Sequence, residues 1–153
     1  MDLFAGVGPF TIQIAKTREN VKVYAIDANP DAVEFLRRNV RLNRVDGKVY
    51  PILGDARKVV RERLSGVADR VIMNLPETAI EFVDVACQAL KPTGGIVHFY
   101  TFVKTPDSLE DVKALFKSAV KKHGKTVKRV LLLKHVRATA PYEWQVVLDA
   151  EVG

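Results

Sequence analysis

The chain has 153 residues, 48% hydrophobic and 27% charged, a composition that excludes a disordered or low-complexity protein and suits one globular domain able to bury a core. No apolar run is long enough to cross a bilayer, no basic-then-apolar leader is expected, and the lone Cys87 excludes an internal disulfide and fits a reducing cytoplasm. His98, His123 and His135 lack ligand spacing, so no metal site is expected, while the net charge of +6 fits a polyanionic partner.

The first residues, Asp2-Leu3-Phe4-Ala5-Gly6-Val7-Gly8-Pro9-Phe10, read as a strand end, a tight glycine turn and the start of a helix over 9–17. Gly6 and Gly8 allow positive φ and a close backbone approach to a ligand, and the helix start presents N–H groups to an anion. Position 11 is Thr, so the dinucleotide pattern G-x-G-x-x-G is not met. The stretch instead resembles motif I of the class I S-adenosylmethionine (SAM) methyltransferases, in which Asp2, Phe4 and Phe10 flank the two glycines.

A buried strand is expected at 21–27, followed by Asn29 as N-cap and Pro30 as first helical residue. The inner face of that helix is expected to carry Val33, Phe35, Leu36 and Val40. A strand at 48–53 leads into Gly54-Asp55 and a charged helix over 56–64. Further on come a strand at 69–74, a helix over 77–90, and a strand at 96–102. A helix then starts at Asp107 or Ser108, buries Leu109, Val112, Phe116 and Val120, and stops at Gly124. Two β-rich runs at 127–136 and 144–152 close the chain, joined by a loop holding Pro141. Lys113, Lys117 and Lys121 recur at i, i+4, the spacing of a solvated helix face. With Lys122, Lys125, Lys128 and Arg129 they hold much of the positive excess.

Alternating strands and helices imply a parallel sheet with helices on both faces. The last two strands lack a helix between them and must be antiparallel. The fold class is therefore α/β, a Rossmann-like class I methyltransferase fold whose mostly parallel sheet ends in an antiparallel hairpin. Its first strand is truncated to Met1-Asp2-Leu3, which suggests a piece of a longer protein.

Asp27 ends the second strand 19 residues after Gly8, where an acidic side chain accepts ribose hydroxyls in nucleotide-binding sheets. Asn29 stands beside it. Asp55, followed by Ala56, ends the third strand, either to accept from an adenine amino group or to cap the next helix. Asn74-Leu75-Pro76-Glu77 ends the fourth strand. There Asn74, with donor and acceptor on one amide, can read a base edge, and Pro76 stiffens the turn. The plain alternative is an ordinary strand-end turn.

DLFAGVGPF, YAIDANPDAVEFLRRNVRLN, PILGDAR, ADRVIMNLPETAIEFVD, GGIVHFYTF and VRATAPYEWQVVLDAEV together resemble the archaeal–eukaryal tRNA (guanine-N1)-methyltransferase family across essentially the whole chain. The wyosine-pathway aminocarboxypropyl transferases are the nearest alternative, and Asn-Leu-Pro favours the methyltransferases. The resemblance implies an enzyme that uses SAM to methylate guanine 37 of tRNA, and a cytoplasmic monomer is expected. Phe4, Gly6, Gly8, Asp27, Asn29, Asp55, Asn74 and Pro76 match family positions around the cofactor and target base, and Asp2, Phe10 and Ala56 are expected at the cofactor with them. Leu75 and Glu77 depart from the Asn-Pro-Pro-aromatic of amino-directed nucleic-acid methyltransferases, which argues against adenine as the acceptor. The resemblance places the general base upstream of motif I, together with tRNA-recognition modules, so the chain as written is expected to bind SAM with little or no methyl transfer by itself.

Overall fold

The computed structural model describes residues 1–104 and 108–153 and divides into two compact units, Met1–Arg63 and Leu64–Gly153. The first holds α1 (Pro9–Thr17), β1 (Val23–Asp27), α2 (Pro30–Leu42), β2 (Val49–Leu53) and α3 (Ala56–Val59). Strands β1 and β2 are parallel, from Val23↔Val49 to Asp27↔Leu53, and α2 supplies the crossover that parallel neighbours require.

Helix α2 begins as its sequence dictates. The Asn29 side chain accepts from the Asp31 N–H at 3.0 Å and Pro30 follows at the first helical position. Val33, Leu36 and Val40 are buried, and Leu36 and Val40 share a core with Val23, Ala25 and Val49. Phe35 was expected with them but is 53% exposed. It lies off the i, i+3, i+7 stripe of the other three, and the Arg38 guanidinium sits over its ring, 5.7 Å from the centroid.

The first three residues pair with β1 through a single parallel bridge, Asp2 to Ala25. The Asp2 N–H donates to the Tyr24 carbonyl at 2.8 Å and the Ile26 N–H to the Asp2 carbonyl at 2.9 Å. The helix expected over 56–64 changes pitch midway: α3 gives way to a π-helical stretch, Val60–Leu64.

The second unit holds β3 (Arg70–Met73), a 3₁₀ turn (Ala79–Phe82), α4 (Val83–Ala89), β4 (Gly95–Lys104), α5 (Leu109–Lys122), β5 (Val127–Ala140) and β6 (Glu143–Val152). Its sheet runs β3-β4-β6-β5. The β3–β4 pair is parallel and the other two pairs are antiparallel, so the expected terminal hairpin is present. The single helix expected over 77–90 is not: the Leu75 carbonyl accepts from both Thr78 and Ala79 N–H groups, at 3.0 and 2.8 Å. This winds the chain into a tight turn, and α-helix begins only at Val83.

Ser108 caps α5 in a reciprocal box with Asp111. The other expected cap, Asp107, lies outside the described residues. Val112, Phe116 and Val120 are buried, Leu109 half-buried, and the Phe116 ring lies 5.1 Å from that of Phe99. Of the lysine row, Lys117 and Lys121 are exposed and Lys113 pairs with Glu110 at 3.0 Å, as a solvated face should. Strand β5 runs on to Ala140, beyond the expected 136, leaving only Pro141 and Tyr142 between the paired ends Ala140 and Glu143. Among the described residues no helix is long and apolar enough to cross a membrane.

Candidate cofactor site and strand-end asparagine

In the first unit three chain segments end side by side. The Ala5 N–H donates to the Ile26 carbonyl at 2.8 Å, and the Gly54 N–H to the Asp27 carbonyl at 2.9 Å. The Asp27 carboxylate joins the ends more tightly. Its Oδ2 accepts from the Gly6 N–H at 2.8 Å and its Oδ1 from the Asn29 N–H at 2.9 Å. Gly6, Asp27 and the Gly54-Asp55 pair thus lie in register at the carboxyl ends of neighbouring strands, where open α/β sheets take their ligands.

The two turn glycines serve different ends. Gly8 has φ +94°, and a Cβ there would sit 2.4 Å from Leu36 Cδ1, so its bareness lets the turn pack on α2. Gly6 has φ +55°, and a Cβ there would meet nothing within 4 Å; its bare side opens onto free space. Asn39, in α2, ties the turn down by donating from Nδ2 to the Val7 carbonyl at 2.9 Å.

Asp2 lies beneath this turn and is 1% exposed. Its Oδ2 accepts from the Thr11 hydroxyl at 3.0 Å and its Oδ1 from the Phe4 N–H at 3.3 Å. Asp2 was expected to face the cofactor; buried with both oxygens occupied, it braces the turn from inside. Burial raises its pKa to about 6, against the lowering effect of the Thr11 and Phe4 hydrogen bonds. Thr11 therefore accounts for the departure from G-x-G-x-x-G: its buried hydroxyl partners a carboxylate, which glycine could not.

Phe4 and Phe10 are half-buried near the turn, and Asn29 is exposed with its side chain occupied as a cap. Asp55 caps α3 by accepting from the Lys58 N–H at 3.0 Å through Oδ1. It is exposed and keeps Oδ2, while Ala56 is buried behind it.

The residues could hold the expected SAM. The open side of Gly6 leaves room for a ligand's backbone approach. Each Asp27 oxygen has one protein donor and a lone pair that could take a ribose hydroxyl, and the exposed Asp55 keeps Oδ2 as an acceptor.

In the second unit, Asn74 follows the last residue of β3. Among the described residues its side-chain amide makes no hydrogen bond. Pro76 is half-buried in the Leu75–Ala79 turn and Glu77 is exposed. A cavity of about 450 Å³ lined by Asp69, Arg70, Gly95 and Lys128 opens at the amino ends of β3 and β4, the far end of those strands from Asn74. Sequence reasoning missed Thr11, Asn39 and Gly54. Only Thr11 carried a signal, as the residue that breaks the glycine pattern.

Residues 1–128 match the TRM5/TYW2 methyltransferase domain. The chain is 38% identical, over its whole length, to 40% of tRNA (guanine(37)-N(1))-methyltransferase Trm5b of Methanocaldococcus jannaschii. Across 99% of its length it is 36% identical to 58% of tRNA(Phe) (4-demethylwyosine(37)-C(7)) aminocarboxypropyltransferase of the same organism. The crystal structure of M. jannaschii TYW2 in complex with AdoMet superposes with a TM-score of 0.90 at 36% identity, over 99% of this chain and 66% of that one. The chain therefore spans about half the length of the curated relatives it matches. It is a member of the TRM5/TYW2 methyltransferase domain family and carries the class I methyltransferase fold.

Proposed function

We propose that residues 1–153 form the SAM-dependent domain of a tRNA methyltransferase that modifies N1 of guanine 37, beside the anticodon. The observation that carries this is the alignment of Gly6, Asp27 and Gly54-Asp55 at three adjacent strand ends, fixed by the Asp27 bonds to Gly6 and Gly54. Bound SAM supplies an electrophilic methyl on a sulfonium. The chain's own residues do the rest. The glycine turn receives the methionine part, Asp27 orients the ribose, and Asp55 marks the adenine end. Guanine N1 carries a proton at neutral pH, so its attack needs a base. Asn74 does not titrate, so its part is to hold the guanine edge with one donor and one acceptor. Fixing donor and acceptor in line accounts for much of the remaining acceleration.

A second reading, aminocarboxypropyl transfer from the same cofactor, uses the same strand ends and draws support from the wyosine-pathway relative. The methyltransferase reading is preferred on Asn74-Leu75-Pro76. Neither reading calls on a metal ion, and the protein is taken to act as a cytoplasmic monomer. The test is to incubate the full-length protein that carries this domain with SAM and a tRNA transcript carrying G37, then identify the modified nucleoside by mass. N1-methylguanosine is expected; an aminocarboxypropyl product, or none, overturns the first reading.

A further inference from the structure

Strands β3 and β4 are parallel, but β3 stops at Met73, opposite Phe99, whereas β4 continues to Lys104. Strand β6 pairs with β4 along this extension, up to Lys104↔Glu143, and β5 pairs with β6 as far as Ala140↔Glu143. The β5–β6 turn therefore stands beyond the end of β3 from which Asn74 emerges, by roughly 16 Å at about 3.3 Å per residue.

The arm has an unusual surface. Strand β5 carries Lys128, Arg129, Lys134 and Arg137 and no acidic residue. Arg129 is neutralised by Glu151 at 3.3 Å. Among the described residues neither Lys134 nor Arg137 has a carboxylate partner. Lys134 pairs with Val147 and Arg137 with Gln145, which puts both cations on one face of the arm. The Arg137 Nε donates to Gln145 Oε1 at 3.2 Å, and among the described residues its other donors have no hydrogen-bond partner. Trp144 and His135, 5.3 Å apart between ring centres, lie on the opposite face.

Tyr142, at the tip, is 80% exposed and has φ +62°. Pro141 before a residue of positive φ is the pattern of a turn that normally takes Gly or Asn at the second place. A tyrosine there is strained and buries little within the chain, so its use lies outside the chain.

We infer that the β5–β6 arm is an RNA-contacting arm, Lys134 and Arg137 holding the sugar–phosphate backbone beside the target nucleotide and Tyr142 stacking on a neighbouring base. Unpaired cations next to exposed aromatic rings are what single-stranded RNA loops select. The identity of the RNA as an anticodon loop rests on the tRNA reading above. A second copy of this chain is a poorer occupant: β5 is an edge strand, but its pairing with β6 shifts register at four places, and bulged edges resist strand addition.

The test is fluorescence anisotropy of a labelled anticodon stem-loop RNA carrying G37, titrated with the chain over a range of salt. Tyr142→Gly should weaken binding about fivefold or more, and Tyr142→Phe should stay within about twofold of wild type. The double variant Lys134→Ala/Arg137→Ala should weaken it about tenfold and lower the salt slope by about 2. Tyr142→Gly relieves the positive φ, so its thermal midpoint should not fall, which separates lost contact from lost folding. Wild-type affinity in both the Tyr142→Gly and double variants overturns the arm. So does failure of the chain to bind the RNA, or sedimentation showing copies joined through β5. Methyl transfer is scored separately, on the full-length protein. Normal transfer with arm-independent binding removes the arm and leaves the methyltransferase reading; arm-dependent binding without transfer does the reverse.

Discussion

The Asp27 carboxylate accepts the Gly6 N–H at 2.8 Å through one oxygen and the Asn29 N–H at 2.9 Å through the other. One side chain at the end of β1 thus shapes the glycine turn and the entry into α2 together. Asp27→Ala removes both anchors and the proposed ribose acceptor. Hydrogen bonds to a charged group contribute about 1.5–3 kcal/mol each. SAM affinity should fall at least about tenfold, with a lower thermal midpoint in a chain that still folds. Calorimetry on the folded variant decides it, and an unchanged affinity would remove Asp27 from the cofactor site.

The two glycines of the turn should respond differently to alanine. At Gly8 the new methyl meets Leu36 Cδ1 at 2.4 Å on a backbone with φ +94°. Overpacking and strain of this kind cost about 1–3 kcal/mol each, and the loss should appear as a lowered unfolding midpoint. At Gly6 the methyl meets no protein atom within 4 Å, so stability should drop only by the left-handed cost of about 1 kcal/mol. The methyl would instead stand in the space proposed for the cofactor, and SAM affinity should suffer more than stability. Equal stability losses with intact affinity at Gly6 would count against that placement.

Asp2 gives a pH signature. Burial raises its carboxyl from 3.8 to about 6, so the folded state holds this proton more tightly than the unfolded chain does. The stability it contributes is fully present below about pH 3.8 and is lost as pH rises through about 6. Asp2→Asn does not titrate and escapes that loss. Its stability relative to wild type should therefore improve by roughly 2–3 kcal/mol between about pH 4 and pH 7. Denaturant unfolding across that range measures it, and parallel pH curves for the two proteins would refute it.

The strand ends are legible in the sequence because they obey local rules. Gly-x-Gly marks a turn that needs positive φ, and Asn29-Pro30 is a helix start with its own donor and acceptor logic. What escapes is set by tertiary contact. Phe35 reads as core by hydrophobicity alone, yet helix geometry turns it outward, where Arg38 covers it. Thr11 reads as a broken fingerprint until Asp2 appears beneath it. The doubly used Leu75 carbonyl, which delays α4 to Val83, has no periodic signature. The outer length of β5 is hidden because residues on both its faces are exposed, which erases the alternation that reveals a half-buried strand.

Asn74 should separate binding of the acceptor from binding of the donor. Its amide follows β3 with no hydrogen bond to any described residue, so Asn74→Ala breaks no internal contact and should leave the unfolding midpoint close to wild type. If the amide holds the guanine edge, its loss misplaces the nucleophile, and a misplacement of about 1 Å can cost about 100-fold in rate. SAM affinity should change by less than about threefold, since the anchors at Gly6 and Asp27 remain intact. Asn74→Asp is the sharper variant. It keeps the size and an acceptor but replaces the amide donor with a carboxylate, so it should also fail to orient a base edge that needs both. Single-turnover methyl transfer to a G37 transcript by the full-length protein, run beside calorimetric SAM titration, gives both quantities for each variant. Wild-type turnover in either variant would reduce Asn74 to a strand-end residue, and a parallel loss of SAM affinity would move it into the donor pocket.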